Sequence, residues 1–459
     1  MPDTKIERLY YRLPVPLQNI LFSLKGLALF RQRYNKHFYK QLQQLRESEW
    51  WTGEQIRRYQ DRKLRQLIHH AYNTVPFYKE WFDSHGVKPE QIQTQDDLKK
   101  LPVLTKEIVR QNQDTMVSTM YKPSQLVEGL TSGTTGTPLR IRMTKSGLAF
   151  QWAIWWRHKA RFGLNPKDKH LVFGARIAVP LSQDRPPFWR HDIFGHRTYL
   201  SVYHLTEKYM PAILDYLNSH DFDFYTGYPS AMNILADYMI RNNIRLLRRP
   251  KYVVTGADAL LPTYERRIRE AFGVTVTEQY GMAEFAGNMS KCEYGKFHLD
   301  FECCCLEEQP IEGAPKGTSS LLFTGWGNPA MPFIRYQVGD YGRRSEGPCR
   351  CGRESICFDS IDGRIEDYVR TPDGRMVIGM NQVFEYASGA KEIQIYQKCI
   401  EEIEVRIVPS ESYGEKDEKA LLRELRRRVG ESLKIKFVIV DHIDRTPSGK
   451  FRAVVSAID

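Results

Sequence analysis

Hydrophobic periodicity divides the chain into stretches of different character. Between residues 145 and 279, short apolar runs alternate with helical ones. A helix over Lys145–Arg161 is followed by a buried strand over His170–Gly174, and then by Glu207–Ser219, Phe222–Thr226, Ser230–Asn242, Tyr252–Thr255, Pro262–Phe272 and Thr275–Gln279 in alternation. Strands separated by helices of about 10–15 residues predict parallel βαβ units. From Ser319 through Tyr341 to Ile361 the pattern becomes short strands and turns, and Asp362-Gly363-Arg364 reads as a glycine-containing break. Beyond it, strands are expected at Ile393–Tyr396, Ile403–Ile407 and Phe437–Val440, with a charged helix over Lys416–Leu433. The expected fold is α/β: a large N-terminal domain over 1–361, with βαβ sheets and a small β region, and a small α+β domain over 362–459.

The first fifty residues form a basic helical extension. Arg8, Arg12, Lys25, Arg31, Arg33, Lys36, Lys40 and Arg46 face few acids, and the apolar stretch Leu17–Phe30 lies among them. That stretch reads two ways, as an interfacial helix resting on anionic lipid or as a helix packed on the main body. A helix through Glu54–Tyr72 follows, ending before Val75-Pro76. Residues 96 to 106 read as a short helix, a turn and a new cap at Thr105. Lys145–Arg161 carries Phe150, Trp152, Ile154, Trp155 and Trp156, an aromatic stripe expected to be core.

Composition narrows the classes. The chain has 459 residues, 41% hydrophobic and 27% charged, ordinary for a globular protein of two or three domains. It has no uninterrupted apolar run long enough to span a bilayer, and no signal-peptide pattern at its N-terminus. Eight cysteines in so long a chain do not make a disulfide scaffold. A cytoplasmic protein is expected, with peripheral contact at the inner membrane face as the open alternative. The net charge of +12 favours anionic partners, and the absence of any nucleic-acid motif argues against DNA or RNA.

Four short stretches carry the chemistry. Thr131-Ser132-Gly133-Thr134-Thr135-Gly136-Thr137-Pro138 has almost no apolar side chain, and Leu126-Val127 and Leu139-Arg140-Ile141-Arg142-Met143 flank it with strand-like alternation. Glycines let backbone N–H groups approach an anion, and the hydroxyls add donors, so the stretch suits a phosphate loop. Gln279-Tyr280-Gly281-Met282-Ala283-Glu284 directly follows a strand, where open α/β sheets bind ligands. A carboxylate there can hold Mg²⁺ on nucleotide phosphates, and a tyrosine can stack on a base. Asp340, after Gly339, suits a ribose diol. Lys450, in Thr446-Pro447-Ser448-Gly449-Lys450-Phe451-Arg452, can present a mobile charge to a developing negative charge.

In order and spacing these stretches resemble the AMP-forming acyl-adenylate ligase superfamily along almost the whole chain. Within it the chain resembles the phenylacetate–coenzyme A ligase-like branch, and its capsular-polysaccharide-biosynthesis members in Pro186-Pro187-Phe188-Trp189-Arg190, Thr226-Gly227-Tyr228-Pro229-Ser230 and Gly363-Arg364-Ile365-Glu366-Asp367. The resemblance implies that a small carboxylic acid attacks the α-phosphate of ATP, pyrophosphate leaves, and a thiol or amine then displaces AMP. Coenzyme A is the expected thiol; an amine on a glycan precursor or carrier is the alternative acceptor. An inactive scaffold in polysaccharide assembly is the third reading, and retention of Glu284, Asp340, Arg364 and Lys450 argues against it.

The resemblance also implies roles. Thr131, Ser132, Gly133, Thr134, Thr135 and Gly136 would bind the phosphates, and Glu284 would hold Mg²⁺. Tyr280 would pack on adenine, beside Gly281 and Gly256-Ala257-Asp258. Asp340 would take the ribose with Arg364, Lys450 would bridge acyl carboxylate and phosphate, and Asp362 would be the hinge of a mobile C-terminal lid. Tyr228, Met282 and Phe285 are the candidates for the acyl pocket, with the Phe188-Trp189 loop as its cover. Many members of the superfamily carry lysine after the Thr-Pro pair; here Leu139 stands there, as the phenylacetate branch also lacks that lysine.

Cys292, His298, Cys349 and Cys351 form a second constellation. Three thiolates and one imidazole suit tetrahedral structural zinc, and Cys349-Arg350-Cys351 sits on a Gly/Pro turn as metal knuckles do. The alternative is free reduced thiols. Cys303-Cys304-Cys305 is expected on a strand as small apolar side chains.

Overall fold

The computed structural model describes residues 5–130, 139–174, 176–257, 259–311, 317–364, 369–372, 376–377, 380–387, 389–444 and 451–458. The chain opens with three helices, α1 (Lys5–Arg12), α2 (Val15–Arg33) and α3 (Lys36–Ser48). Thr52 starts α4 (Gly53–Thr74) through a capping box with Gln55, which satisfies two of the orphan N–H groups of the first turn. Pro76 cannot continue that helix and instead opens α5 (Pro76–Ser84). Thr105 caps α6 (Lys106–Asn112), accepting from the Ile108 N–H at 3.3 Å, as its position before an apolar run predicts. The strands β1 (Leu126–Leu130) and β2 (Arg140–Thr144) form a hairpin closed by Leu130 opposite Arg140. Leu139, Ile141 and Met143 are buried while Arg140 between them is exposed, the period-two alternation of a half-buried strand.

There follow α7 (Lys145–Arg161), β3 (His170–Gly174), β4 (Trp189–Asp192), β5 (Arg197–Ser201), α8 (Met210–Ser219), β6 (Phe224–Gly227), α9 (Pro229–Arg241), β7 (Tyr252–Gly256), α10 (Pro262–Phe272) and β8 (Thr275–Gly281). Next come β9 (Asn288–Lys291), β10 (Phe297–Leu299), β11 (Cys304–Pro310), β12 (Thr318–Gly325), β13 (Phe333–Arg344) and β14 (Cys357–Arg364). The C-terminal region holds the short pair β15 (Val369–Arg370) and β16 (Met376–Val377), then β17 (Ala390–Cys399), β18 (Glu402–Pro409), α11 (Glu415–Val429), β19 (Lys434–Ile439) and β20 (Val454–Ser456).

The chain separates into two compact units, one of Met1–Ser48, Lys145–Leu260 and Tyr264–Gln279, the other of Glu49–Thr144, Leu261–Thr263 and Tyr280–Asp459. In the first unit β8, β7, β6, β3 and β5 run parallel in that order, with β4 antiparallel at the edge. The helices connect them as the apolar–helical alternation predicts. The chain leaves β3 toward β5 on one side and leaves β6 toward β7 on the other, so β3 and β6 flank a topological switch point. The stretch before Arg190 is not a free aromatic loop. Phe188 is buried against His204 and Tyr209, and Trp189 stacks on Tyr216 at 3.8 Å. Arg190 is buried with its guanidinium held by Gln18, Gln183 and the carbonyls of Pro187 and Trp189. Helix α7 is core in part: Ile154 and Trp156 are buried, Trp156 donating to the Tyr34 hydroxyl at 3.0 Å, while Phe150, Trp152 and Trp155 are half-buried.

In the second unit β11, β12, β13, β14, β10 and β9 form an antiparallel array in that order. The strand β14 runs on through Asp362-Gly363-Arg364, because Arg364 is register-paired with Asp340; the expected break is the end of a strand. Cys303, Cys304 and Cys305 are all buried, and only the last two lie on β11; the Cys303 thiol donates to the Asp300 carbonyl. The smaller C-terminal domain is α+β: β19, β18, β17 and β20 in one sheet, with Leu421, Leu425 and Val429 buried along α11. Gly430 ends α11 at φ 82°, a conformation that costs other residues strain.

Candidate functional site

The end of β8 carries the polar groups that converge in the second unit. Tyr280 donates its hydroxyl to Asp340 at 2.6 Å, and its ring stacks over Phe323. Asp340 reaches that position through an irregularity in β13. Residues 320 to 322 of β12 are matched against 337 to 341 of β13, so Val338-Gly339-Asp340 bulge from the ladder with β12, while Asp340 stays paired with Arg364 of β14. Gly339, at φ 84°, supplies the left-handed turn that the bulge needs. A bulge re-aims a side chain, here that of an aspartate bonded to a tyrosine. Burial, then the Asp340 and Glu284 carboxylates, hold the Tyr280 phenol well above its usual range, so it stays a donor at physiological pH.

The second polar pair lies beside the first. Glu284 is buried and accepts a hydrogen bond from the Tyr336 hydroxyl at 3.0 Å. Tyr336 is itself buried, and its strand position is pinned from Leu104, whose N–H donates to the Arg335 carbonyl and whose carbonyl accepts from Gln337. Arg335 sits at φ 51°, and its guanidinium is tied to Glu307 and to the Leu101 carbonyl. Phe285, next to Glu284, is also left-handed, at φ 53°, unusual for a bulky residue. Its ring is buried where any side chain on Gly327 would collide with it. Backbone strain of this kind concentrates at functional sites. Met282 lies between these groups and is half-buried. Tyr336 lies in the stretch Arg335–Asp340 that ends on the ribose candidate, but nothing in that stretch assigns it a role, and Gly327 carries no motif. Nothing in one dimension shows that Tyr336 meets a carboxylate 52 positions earlier.

In the first unit, Tyr228 and Gly256-Ala257 stand at the C-terminal ends of parallel strands. The Tyr228 N–H donates to the Phe173 carbonyl at 2.9 Å across the switch point. Gly227 makes this possible: at φ 131° it lies so close that a Cβ would overlap the Phe173 carbonyl. Tyr228 then opens α9 with Pro229 in its first turn. Gly256 pairs with Gln279, the residue before Tyr280, and Ala257 leaves the strand at φ 68°. Thr131, Ser132, Gly133, Thr134, Thr135 and Gly136 lie outside the described residues, as do Asp258 and Lys450; the strands flanking the first and the buried Phe451 following the last are described. Asp362 and Arg364 are placed by the backbone of β14.

The four metal-type side chains converge. The ligand atoms of Cys292, His298, Cys349 and Cys351 all lie within 4.8 Å of one another. Cys292 Sγ is 3.7 Å from Cys349 Sγ, and Cys351 Sγ is 3.3 Å from His298 Nε2. Tetrahedral zinc with Zn–S bonds of about 2.3 Å places its sulfur ligands about 3.8 Å apart, so the donor set and its spacing fit. Arg353, two residues on, is buried and links this turn to Glu49 and Glu293. Glu354 accepts the Gly53 N–H at 2.6 Å at the start of α4.

A family model described as "AMP-binding enzyme" matches residues 58–304, more than half of the chain. A second, described as "CapK C-terminal domain", matches residues 369–457. Over 455 residues, 98% of the chain and 99% of the relative, it is 25% identical to protein CapK of Staphylococcus aureus. It is 27% identical to the phenylacetate-coenzyme A ligase of Escherichia coli strain K12 over 68% of the chain and 72% of that protein. The corresponding ligase of Thermus thermophilus is 25% identical over 70% of the chain and 73% of its own length. Among solved structures, 2-hydroxyisobutyryl-CoA ligase in a postadenylation state superposes with a TM-score of 0.69, covering 89% of this chain and 91% of that one at 19% identity, which is a likeness of fold. The chain belongs to the AMP-binding enzymes, the AMP-forming acid ligases, in the branch marked by phenylacetate–coenzyme A ligases and CapK.

Proposed function

We propose that this protein activates a small carboxylic acid with ATP and Mg²⁺ to an acyl-adenylate, releasing pyrophosphate, and then transfers the acyl group to a thiol, coenzyme A. The observation that carries this reading is the pairing of Tyr280 with Asp340 and Glu284 with Tyr336 at the end of β8. Asp340 would take the ribose diol while Tyr280 packs against adenine, and Arg364, opposite Asp340 in register, would assist. Glu284, oriented by Tyr336, would hold Mg²⁺ on the phosphates. The stretch Thr131–Gly136 would cradle the leaving pyrophosphate, and Lys450 would neutralise charge between acid and α-phosphate. Met282 would line the acyl end, with Phe285 fixing the backbone beside Glu284. The C-terminal domain beyond Asp362 would turn as a lid between adenylation and transfer.

The C-terminal region favours a second reading of the acceptor. It matches the CapK C-terminal model, whereas the phenylacetate ligases match about two thirds of the chain. An amine on a glycan precursor, in polysaccharide or capsule assembly, therefore stands beside coenzyme A. Dependence on ATP would place either reaction in the cytoplasm. We further propose that Cys292, His298, Cys349 and Cys351 hold a structural zinc that staples the chain after β9 to the turn before β14. The test of the function is ATP–pyrophosphate exchange across a panel of carboxylic acids, followed by addition of coenzyme A or amines to any active mixture. Exchange with one acid class, and thioester formation on adding coenzyme A, is expected; exchange without thioester would favour the amine. No exchange from folded protein with any acid would overturn the proposal.

A further inference from the structure

Helix α2 buries a mixed face, Gln18, Ser23 and Gly26 beside Phe22 with its ring edge-on against Tyr199, and leaves an aliphatic stripe outside, unlike an ordinary surface helix. Gln18 and Ser23 are buried, and with Asn19 they bond along β4: Arg190 Nε donates to Gln18 at 2.7 Å, the His191 N–H to Asn19 at 3.1 Å, and the Ser23 hydroxyl to the His191 carbonyl at 3.1 Å. These side chains stand where the next strand would, covering the open edge of the sheet. Gly26 lets the helix lie against the Asp192 carboxylate, where a Cβ would overlap it. The consequence is on the other side. Leu17, Ile20, Leu21 and Leu24, spaced as one helical stripe, are 45–54% exposed. The turn between β4 and β5, whose Ile193 N–H donates to Ser23 at 3.2 Å, adds exposed Ile193 and Phe194 beside the helix.

Charge selects the occupant. From Arg8 to Arg46 the chain has eight lysines and arginines and neither aspartate nor glutamate. Arg12, Lys25 and Arg31 are exposed at the ends and flank of the stripe. Two copies meeting face to face would oppose these cations, and a neutral apolar partner would leave them unmatched. We infer that α2 and the β4–β5 turn dock this protein on an anionic phospholipid surface, the aliphatic stripe entering the interface while the cations meet headgroup phosphates. This goes beyond the proposed reaction and does not depend on which acid is activated.

The test is flotation of the full chain with vesicles of phosphatidylcholine mixed with phosphatidylglycerol, and with phosphatidylcholine alone. The wild type is expected to float with the anionic vesicles, less so at high salt. Leu21→Glu with Leu24→Glu should lower partitioning by on the order of tenfold or more, with pyrophosphate exchange in solution unchanged. Lys25→Glu with Arg31→Glu, which leaves the stripe intact, should abolish the preference for anionic vesicles and guards against misfolding of the first variant. Equal flotation of the wild type and both variants would overturn the inference. So would sedimentation showing a wild-type dimer that the leucine variant dissociates, since the stripe would then be an interface between copies.

Discussion

Replacing Tyr336 with phenylalanine removes one hydroxyl and leaves the ring packed beside Phe333. That hydroxyl is 3.0 Å from Glu284, and both side chains are buried, so its loss strips a carboxylate of a donor that water does not readily replace. A hydrogen bond to a charged group contributes about 1.5–3 kcal/mol, and the folded protein should lose stability of that order. The functional effect is sharper. If Glu284 holds Mg²⁺, Tyr336 is the partner that orients it, and removing such partners costs roughly 10–100-fold in metal affinity or activity. The assay is pyrophosphate exchange against Mg²⁺ concentration at saturating acid and ATP. Tyr336→Phe should shift half-saturating Mg²⁺ upward by that factor, and Glu284→Gln should remove exchange. A folded Tyr336→Phe enzyme with the wild-type Mg²⁺ curve would refute the reasoning.

The remaining predictions test separate parts of the molecule. Lys450→Ala should abolish pyrophosphate exchange while leaving transfer from a supplied acyl-adenylate largely intact; equal loss of both would count against a division of labour by the lid. Metal analysis should find zinc in the wild type and little in Cys351→Ser, with a lower melting temperature for the variant; equal, negligible metal in both would sink the site. His170 is buried and stacked on Phe224 at 4.6 Å, and burial pushes its pKa down to about 3. The folded state therefore binds fewer protons than the unfolded one below about pH 6.5, and stability should fall with acid by up to about 1.4 kcal/mol per pH unit until about pH 3. Denaturant titrations should show that His170→Phe flattens this limb; an unchanged pH profile would contradict it. Gly327→Ala should destabilise by about 1–3 kcal/mol, because its Cβ would meet the Phe285 ring. Unaltered denaturation would show that the ring can move aside.

Much of this protein is local and was legible in one dimension. Apolar periodicity placed β3, α7, α9, β7, α10 and β8 to within a residue or two, because burial selects side chains at the spacing of the element they belong to. Turn chemistry placed the cap at Thr105 and the end of α4 before Pro76. The side-chain pairings at the end of β8 were not legible. That Asp340 meets Tyr280 depends on a register shift between β12 and β13. The grouping of Cys292 and His298 with Cys349 and Cys351 was read from residue types and spacing and is met in the fold, but their separations are set by which strands become neighbours. Strand order and register couple residues tens of positions apart, and a repeat of two or 3.6 residues carries no information about either. Helix α2 shows the limit most directly. Its composition was compatible with either face pointing inward; the open edge of β4, offering its backbone to Asn19 and Ser23, decided that Gln18, Phe22 and Ser23 would be buried and Leu17, Leu21 and Leu24 left outside.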